Sequence, residues 1–250
     1  MNKYIKLLDN FDQLSLSTFR LNFDQFIEEV NKDKSTIVEG LYELTRKEMD
    51  FRQERVNKSM IKTSHFPYLK TFDDYDFKFQ PKINKDEILD FKNLRFIENN
   101  ENIVFMGSSG VGKTHLAVSI GIECAMNRYQ TYFISCHDLI QQLMKAKHEN
   151  TLARRLKHFY SYSVLIIDEV GFLPIEPEDA NLLFQLISMR YEKHPTIFTT
   201  NKSFSKWGEL FGDSVIANAM LDRILHHCKV VQIVGPSYRM RGKEALFNEE

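Results

Sequence analysis

The sequence has little cysteine and no long apolar run. Its 250 residues include three cysteines, Cys124, Cys136 and Cys228, which stand far apart and match no zinc or redox spacing. No apolar run approaches the length that crosses a bilayer. Met1 to Asn10 lacks the apolar core and cleavage site of a signal peptide. We therefore expect reduced, mostly buried cysteines in a cytoplasmic protein without a membrane partner.

The chain also lacks an excess of charge of either sign. Its formal net charge is −1, which gives no overall attraction to nucleic acid. Any such binding must therefore come from local basic surfaces. The 43% of hydrophobic residues suffices for one sizeable core with a small appended domain.

A glycine-rich segment follows the first strongly apolar run, residues 102–106, and precedes a stretch of good helix formers. Its pattern and context are those of a loop that cradles nucleotide phosphates at the start of a helix. We predict that Lys113 reaches the β- and γ-phosphates and that the Thr114 hydroxyl ligates Mg²⁺. The predicted ATP-binding residues are Gly107, Ser108, Ser109, Gly110, Val111, Gly112, Lys113, Thr114 and His115.

Strand and helix patterns alternate through the rest of the chain. This alternation predicts an α/β fold in which a five-stranded parallel sheet lies between helices. An unusually long helical stretch, Asp138 to Tyr160, is predicted between the second and third strands. The predicted strands are residues 102–106, 131–135, 164–167, 196–200 and 229–234.

Polar residues end two of these strands. Asp168 and Glu169 follow four apolar residues, and the carboxyl ends of parallel strands open at the ligand crevice. Asp168 is therefore predicted to bind Mg²⁺ and Glu169 to activate a water molecule for hydrolysis. Asn201 ends the next strand, where its amide is placed to hold that water. An isolated Asn at a strand end is also an ordinary turn residue.

Two arginines are candidates for stabilising the transferred phosphoryl group, Arg223 on a helical pattern and Arg239 after the last strand. From the residues alone, a salt bridge between Arg223 and Asp222, and a plain surface charge for Arg239, are equally good interpretations. His226 and His227 have no acidic or cysteine partner at metal spacing, which favours structural histidines.

The chain divides by composition into a helical domain at 1–65, a linker at 66–85 that packs on the next domain, an ATPase domain at 86–243 and a tail at 244–250. A short helix near residues 86–97 is predicted to lead into the first strand. Two basic surfaces are candidates for phosphate contact, and a solvated helix face is the alternative for each. The first contains Arg52, Arg55, Lys58 and Lys62, and the second Lys145, Lys147, Arg154, Arg155 and Lys157.

Over residues 40–243 the sequence resembles the IstB transposition helper ATPases of bacterial insertion sequences. The matching segments occur in the order GSSGVGKTHLA, LIIDEVGFLP, ANLLFQLISMRYE, TIFTTN, FSKWGELFGD, LDRILHH and SYRMRGK. Ser108 and Ser109 stand where relatives often have prolines. The resemblance implies an AAA+ ATPase of the initiator and helicase-loader clade, similar to DnaC-type loaders.

The resemblance also implies roles and partners. Asn201 matches sensor 1, Arg223 the arginine finger that acts on a neighbour's ATP, and Arg239 the sensor-2 arginine. The implied partners are duplex DNA, a transposase and further copies of the chain in an ATP-dependent oligomer. A replicative helicase loader is the nearest alternative, and a small-molecule kinase or a slowly hydrolysing, nucleotide-gated scaffold the more distant ones.

Overall fold

A computed structural model describes residues 2–32, 34–173 and 175–241. The chain forms two compact units, Met1–Ser59 and Met60–Glu250. The division falls inside a helix, a few residues before the boundary that composition suggests. The predicted tail and the end of the SYRMRGK segment lie outside the described residues. Within those residues, no helix is long and apolar enough to cross a membrane.

The first unit is helical. It contains α1 (Lys3–Gln13), α2 (Ser17–Asn31) and most of α3 (Ile37–Thr63). Phe11, Phe23 and Leu44 form its small buried core, and the rings of Phe11 and Phe23 meet edge to face at 5.1 Å. The helices that the sequence analysis predicted for this region thus bury a shared apolar face.

The second unit is an α/β domain built on a five-stranded parallel sheet in the order β2-β3-β4-β1-β5. Its strands are β1 (Asn102–Gly107), β2 (Thr131–Ser135), β3 (Val164–Val170), β4 (Thr196–Thr200) and β5 (Cys228–Ile233). The predicted fold class is confirmed.

Helices cover both faces of this sheet and supply the rest of the core. They are α4 (Lys85–Asp90), α5 (Arg95–Glu98), α6 (Lys113–Met126), α7 (Cys136–His148), α8 (Leu152–Tyr160), α9 (Pro177–Arg190), α10 (Trp207–Leu210) and α11 (Ser214–Leu225). Trp207 is 1% exposed and packs against Phe204 and Phe211. Cys124 and Cys136 are buried and Cys228 is half-buried, all three as free thiols.

Two stretches that were predicted as continuous helices are interrupted in the structure. The stretch from Asp138 to Tyr160 is two helices, because Asn150 adopts a left-handed conformation with φ 55° and ends the first of them. The short helix near residues 86–97 is likewise interrupted at Leu94, where φ is 56°. In both places a single residue outside the helical region redirects the chain.

Candidate functional site

The glycine-rich loop joins the end of β1 to the start of α6. Gly110 and Gly112 have φ values of 79° and 103°, which side-chain-bearing residues rarely adopt. A Cβ on Gly110 would lie 2.0 Å from Ser237 Oγ, and one on Gly112 would lie 2.5 Å from the Tyr75 ring. Glycine is therefore required at both positions, and the close approach leaves a cradle of backbone at the helix N-terminus.

Lys113 lies half-buried at the centre of this cradle. Its ammonium group donates hydrogen bonds to the carbonyl oxygens of Gly107, at 2.9 Å, and Ser108, at 2.7 Å. Burial lowers the pKa of Lys113, while the nearby Asp168 carboxylate acts in the opposite direction. The lysine is thus held folded back on the loop by weak neutral acceptors that a phosphate would replace.

Thr114 and Asp168 meet opposite the lysine. The Thr114 hydroxyl donates to the Asp168 carboxylate at 2.9 Å, and the buried Thr199 hydroxyl donates to the same oxygen at 2.5 Å. Burial raises the pKa of Asp168, although these hydrogen bonds and the charge of Lys113 favour its ionised form. A hydroxyl and a carboxylate are hard oxygen ligands, so this pair fits Mg²⁺.

Glu169 occupies an irregular position in β3. Its φ is 59°, and the pairing between β3 and β4 shifts register between Ile167 and Val170. Its N–H donates to Thr199 Oγ1 at 2.9 Å, while its side chain is exposed. This bulge turns Glu169 out of the sheet, so that it lines the same cavity as Lys113 and Asn201.

The segment of residues 66–85, predicted only to pack on the ATPase domain, forms one wall of this cavity. Tyr68, Lys70 and Tyr75 are among its lining residues. The Tyr75 hydroxyl donates to the Val111 carbonyl oxygen at 3.1 Å, and a His115 ring nitrogen lies 2.8 Å from the Thr71 carbonyl oxygen. The run of aromatics and acids in this segment was the available signal for that role.

The chain after β5 closes another side of the cavity. The Tyr238 N–H donates to the Gly110 carbonyl oxygen at 2.9 Å, which fixes this segment to the phosphate loop. Gln80 Nε2 donates to the Pro236 carbonyl oxygen at 2.8 Å. Arg239 is thereby brought to the cavity wall, with its side chain exposed.

Arg223 is not among the residues that line this cavity. It lies on α11, where its guanidinium donates to the Ala219 carbonyl oxygen at 2.9 Å and stacks 4.7 Å from the centre of the Phe184 ring. Across the described ranges, Arg223 forms no salt bridge with Asp222. The ring contact and the hydrogen bond hold the arginine between α9 and α11, outside the lining of the cavity.

The two basic surfaces differ in how their charges are used. On α3, Arg52 pairs at 2.8 Å with the buried Glu48, which also accepts hydrogen bonds from Thr18. Lys58 pairs with Glu54 at 2.6 Å. Arg55 lies 5.8 Å from the centre of the Phe51 ring, and Lys62 is exposed in the last turn. Arg52 therefore contributes to packing within the helical unit.

On α8, by contrast, Arg154, Arg155 and Lys157 are exposed and form no salt bridge within the part of the chain that the structure describes. Lys145 on α7 has a long contact of 3.9 Å with Glu149. The surface of α8 thus presents three cations whose charge is not offset by a salt bridge within the described residues.

Comparison with known sequences places these features in a family. The family model described as IstB-like ATP binding protein matches residues 10–245. The ATP-binding protein of insertion sequence IS232 from Bacillus thuringiensis subsp. berliner is 53% identical over 99% of both chains. The corresponding protein of insertion sequence IS21 from Pseudomonas aeruginosa is 39% identical over 92% of this chain and 87% of its own length.

Solved structures show a similar fold. The DnaC helicase loader superimposes with a TM-score of 0.53 and 26% identity, over 60% of this chain and 88% of its own. AMPPCP-bound DnaA from Aquifex aeolicus superimposes with a TM-score of 0.56 and 21% identity, over 74% of this chain and 58% of its own. The α/β unit therefore has the AAA+ fold.

Proposed function

The chain belongs to the family of IstB-like ATP binding proteins, and from that premise we propose that it hydrolyses ATP as a DNA-bound helper of a transposase. In this proposal, copies of the chain assemble on duplex DNA with ATP between them, and hydrolysis controls the assembly. The relatives named as ATP-binding proteins of insertion sequences support the link to transposition.

One observation carries the hydrolytic part of the proposal. The Thr114 hydroxyl donates to Asp168 at the phosphate loop, and the charges of Asp168 and Lys113 interact. Glu169 lines the same cavity as Lys113 and Thr114. A carboxylate there that is not engaged with Thr114 is suited to take a proton from water. A phosphotransferase would instead need an acceptor site at that position.

The residues have distinct parts in the reaction. Lys113 exchanges the carbonyl oxygens of Gly107 and Ser108 for β- and γ-phosphate oxygens. Thr114 and Asp168 would hold Mg²⁺, which would supply positive charge to offset that of the phosphates. Asn201 orients the attacking water. Glu169 accepts its proton as the new bond to the γ-phosphorus forms and the bond to the β-phosphate oxygen breaks, releasing ADP and phosphate.

Two arginines complete the transition state from different chains. Arg239, at the wall of its own cavity, stabilises the γ-phosphoryl charge in cis. Arg223 lies outside that cavity, so we propose that it acts on the nucleotide of a neighbouring copy. The site is then complete only in the oligomer, which couples hydrolysis to assembly.

The α8 surface is the better candidate for duplex DNA. The exposed Arg154, Arg155 and Lys157 lack salt bridges within the described ranges, whereas Arg52 and Lys58 on α3 are paired with carboxylates. A cation that is already paired with a carboxylate gains less binding free energy from a DNA phosphate, because the existing ion pair must first be broken.

The direct test measures ATPase rate and particle mass with and without duplex DNA, for the wild-type protein and for Glu169→Gln. We expect DNA to raise the rate of the wild type, ATP to raise its mass, and the variant to assemble without turnover. Hydrolysis by a monomer regardless of DNA would overturn the proposal.

A pull-down with a transposase and a replicative helicase from the same host identifies the partner. Retention of the transposase alone supports the helper role. Retention of the helicase alone would instead indicate a loader, the activity named for the DnaC structure.

A further inference from the structure

Two neighbouring histidines and a glutamate converge on the surface of the α/β unit, where α11 ends and β5 begins. Glu192 Oε1 lies 3.5 Å from His226 Nδ1 and 3.6 Å from His227 Nε2. About half of each side chain is exposed. The acidic partner comes from the turn after α9, more than thirty positions away, so sequence spacing gave no sign of it. The sequence favoured structural histidines, and in the structure both are exposed and share Glu192 as an acidic partner.

The separations match a metal coordination sphere. Two ligands bound to one tetrahedral ion at about 2.1 Å are about 3.4 Å apart. Both distances from the glutamate oxygen to the histidine nitrogens are already close to that value. The ligand atoms of all three residues lie within 4.8 Å of one another. The two histidine nitrogens are at most 4.8 Å apart, and exposed side chains can adjust that separation to the coordination distance.

The backbone on both sides of the cluster is fixed by hydrogen bonds. The N–H groups of Lys193 and His194 donate to the Arg190 carbonyl oxygen at 3.0 Å, which forms the turn that presents Glu192. On the other side, the His227 carbonyl oxygen accepts from the Asn102 N–H at 2.8 Å. The three ligands are therefore carried by anchored segments, which lowers the entropy lost on binding an ion.

A fourth polar group adjoins the cluster. The Tyr191 hydroxyl lies 2.8 Å from His226 Nδ1 and also interacts with the Glu192 side chain. When an ion binds His226 Nδ1, it replaces the Tyr191 hydroxyl there, and the hydroxyl can then bond to the Glu192 carboxylate alone. Hydrogen bonding of that kind to a ligating carboxylate is the usual outer-shell support of a metal site.

We propose that Glu192, His226 and His227 form a binding site for a zinc-class divalent metal ion, with three protein ligands and a fourth position open to solvent. Imidazole nitrogens select this class, whereas magnesium prefers carboxylate, hydroxyl and water oxygens. The site is thus chemically separate from the one formed by Thr114 and Asp168, and it does not depend on the proposed ATPase activity.

Bound metal would join the turn after α9 to the end of α11. Arg223 lies on α11, one turn before His226. The Phe184 ring on which Arg223 stacks belongs to α9. An ion at the cluster would therefore restrict the relative movement of the two helices that hold Arg223.

The experiment uses the full chain, purified without a polyhistidine tag and stripped with a chelator, in buffer that contains excess Mg²⁺. Cobalt(II) is titrated in and followed by visible absorption, and zinc(II) is then titrated in by calorimetry. We expect one equivalent of cobalt with a tetrahedral spectrum, displaced by one equivalent of zinc. Single changes His226→Ala, His227→Ala and Glu192→Gln should each weaken binding at least about tenfold, as losses of supporting groups already do.

Matched variants control for other ligands. His148→Ala removes an exposed histidine elsewhere, and Cys228→Ala removes the half-buried thiol next to His227. Both should bind as the wild type does. Circular dichroism establishes that each variant is folded. Absence of a stoichiometric site, or unchanged binding in the double variant of His226 and His227, would overturn the proposal and leave an ordinary ion pair with Glu192.

Discussion

Thr199 and Asp168 share a hydrogen bond of 2.5 Å between neighbouring strands, donated by the threonine hydroxyl. The same hydroxyl oxygen accepts the Glu169 N–H at 2.9 Å. Glu169 has a φ of 59°, a conformation that costs a residue other than glycine about 1–3 kcal/mol. One buried hydroxyl thus positions both acidic residues, and it helps to offset the strain that turns Glu169 toward the cavity.

Replacing Thr199 by valine should therefore slow ATP hydrolysis with little effect on ATP affinity. The change keeps the shape of the side chain but leaves the Glu169 N–H without its acceptor, a loss of about 1–3 kcal/mol. If that loss falls on the transition state, kcat decreases about 5- to 150-fold. Steady-state kinetics together with binding of a non-hydrolysable ATP analogue measure the two effects separately.

Thr199→Ser is the matched control, because it retains the hydroxyl and should keep most of the activity. Equal losses in the serine and valine variants would show that the methyl group, and hence packing, is what matters at this position.

The sequence predicted the parts of the site that are local in the chain. The phosphate loop is one continuous segment, and Asp168 and Glu169 end an apolar strand, so their spacing alone predicted where they lie. Thr199 lies within a β-branched strand, where threonine is an ordinary strand former. Its role depends on the register between β3 and β4, which a single sequence does not reveal.

The cavity wall from residues 66–85 was missed for a similar reason. Tyr75 and Val111 are far apart in the chain, and their contact exists only because this segment folds back over the loop. The break at Asn150 had a local signal, since asparagine is one of the few residues that end helices in the left-handed conformation. The helical periodicity on either side outweighed it.

Arg223 provides the sharpest test of a shared site. Arg223→Ala should lower ATP turnover about a thousandfold, as loss of an arginine finger does. Lys113→Ala should abolish nucleotide binding in its own chain. Mixing the two inactive variants should restore activity, because the Lys113 variant still supplies Arg223 to the intact nucleotide site of the other.

Lys206→Ala, which removes an exposed cation that is neither on α11 nor in the lining of the cavity, serves as the control and should hydrolyse ATP normally in the mixture and alone. An Arg223 variant that stays inactive at every mixing ratio, while still forming mixed oligomers, would mean that this arginine acts within its own chain.

Charge reversal on α8 should weaken DNA binding. Changing Arg154, Arg155 and Lys157 to glutamate should lower affinity for duplex DNA. It should also reduce the slope of log affinity against log salt by about one for each DNA phosphate that the protein no longer neutralises. Fluorescence anisotropy over a series of salt concentrations measures both quantities.

The comparison variant reverses Arg55 and Lys58 on α3 and leaves Arg52 in place, because Arg52 pairs with the buried Glu48. It should bind with an unchanged salt slope. If the salt slope decreases for this variant and not for the α8 variant, duplex DNA binds the helical unit instead.

Arg190 should be the most stability-sensitive cation in the α/β unit. It is 2% exposed and joins the end of α8 to the starts of β3 and β4. Its guanidinium donates to the carbonyl oxygens of Phe159, Tyr160, Tyr162 and Pro195 and to the Thr196 hydroxyl, at distances from 2.7 to 3.1 Å. Arg190→Met would leave several buried acceptors unpaired, so we expect a loss of about 3 kcal/mol or more in the free energy of unfolding.

Urea unfolding followed by tryptophan fluorescence measures this loss, because the single tryptophan, Trp207, is buried in the same unit. Arg190→Lys should recover only part of the stability, since one ammonium group cannot reach acceptors on three segments. The exposed neighbour Lys193→Met should change stability by less than about 0.5 kcal/mol. An unfolding midpoint of Arg190→Met equal to that of the wild type would show that water replaces the guanidinium without cost.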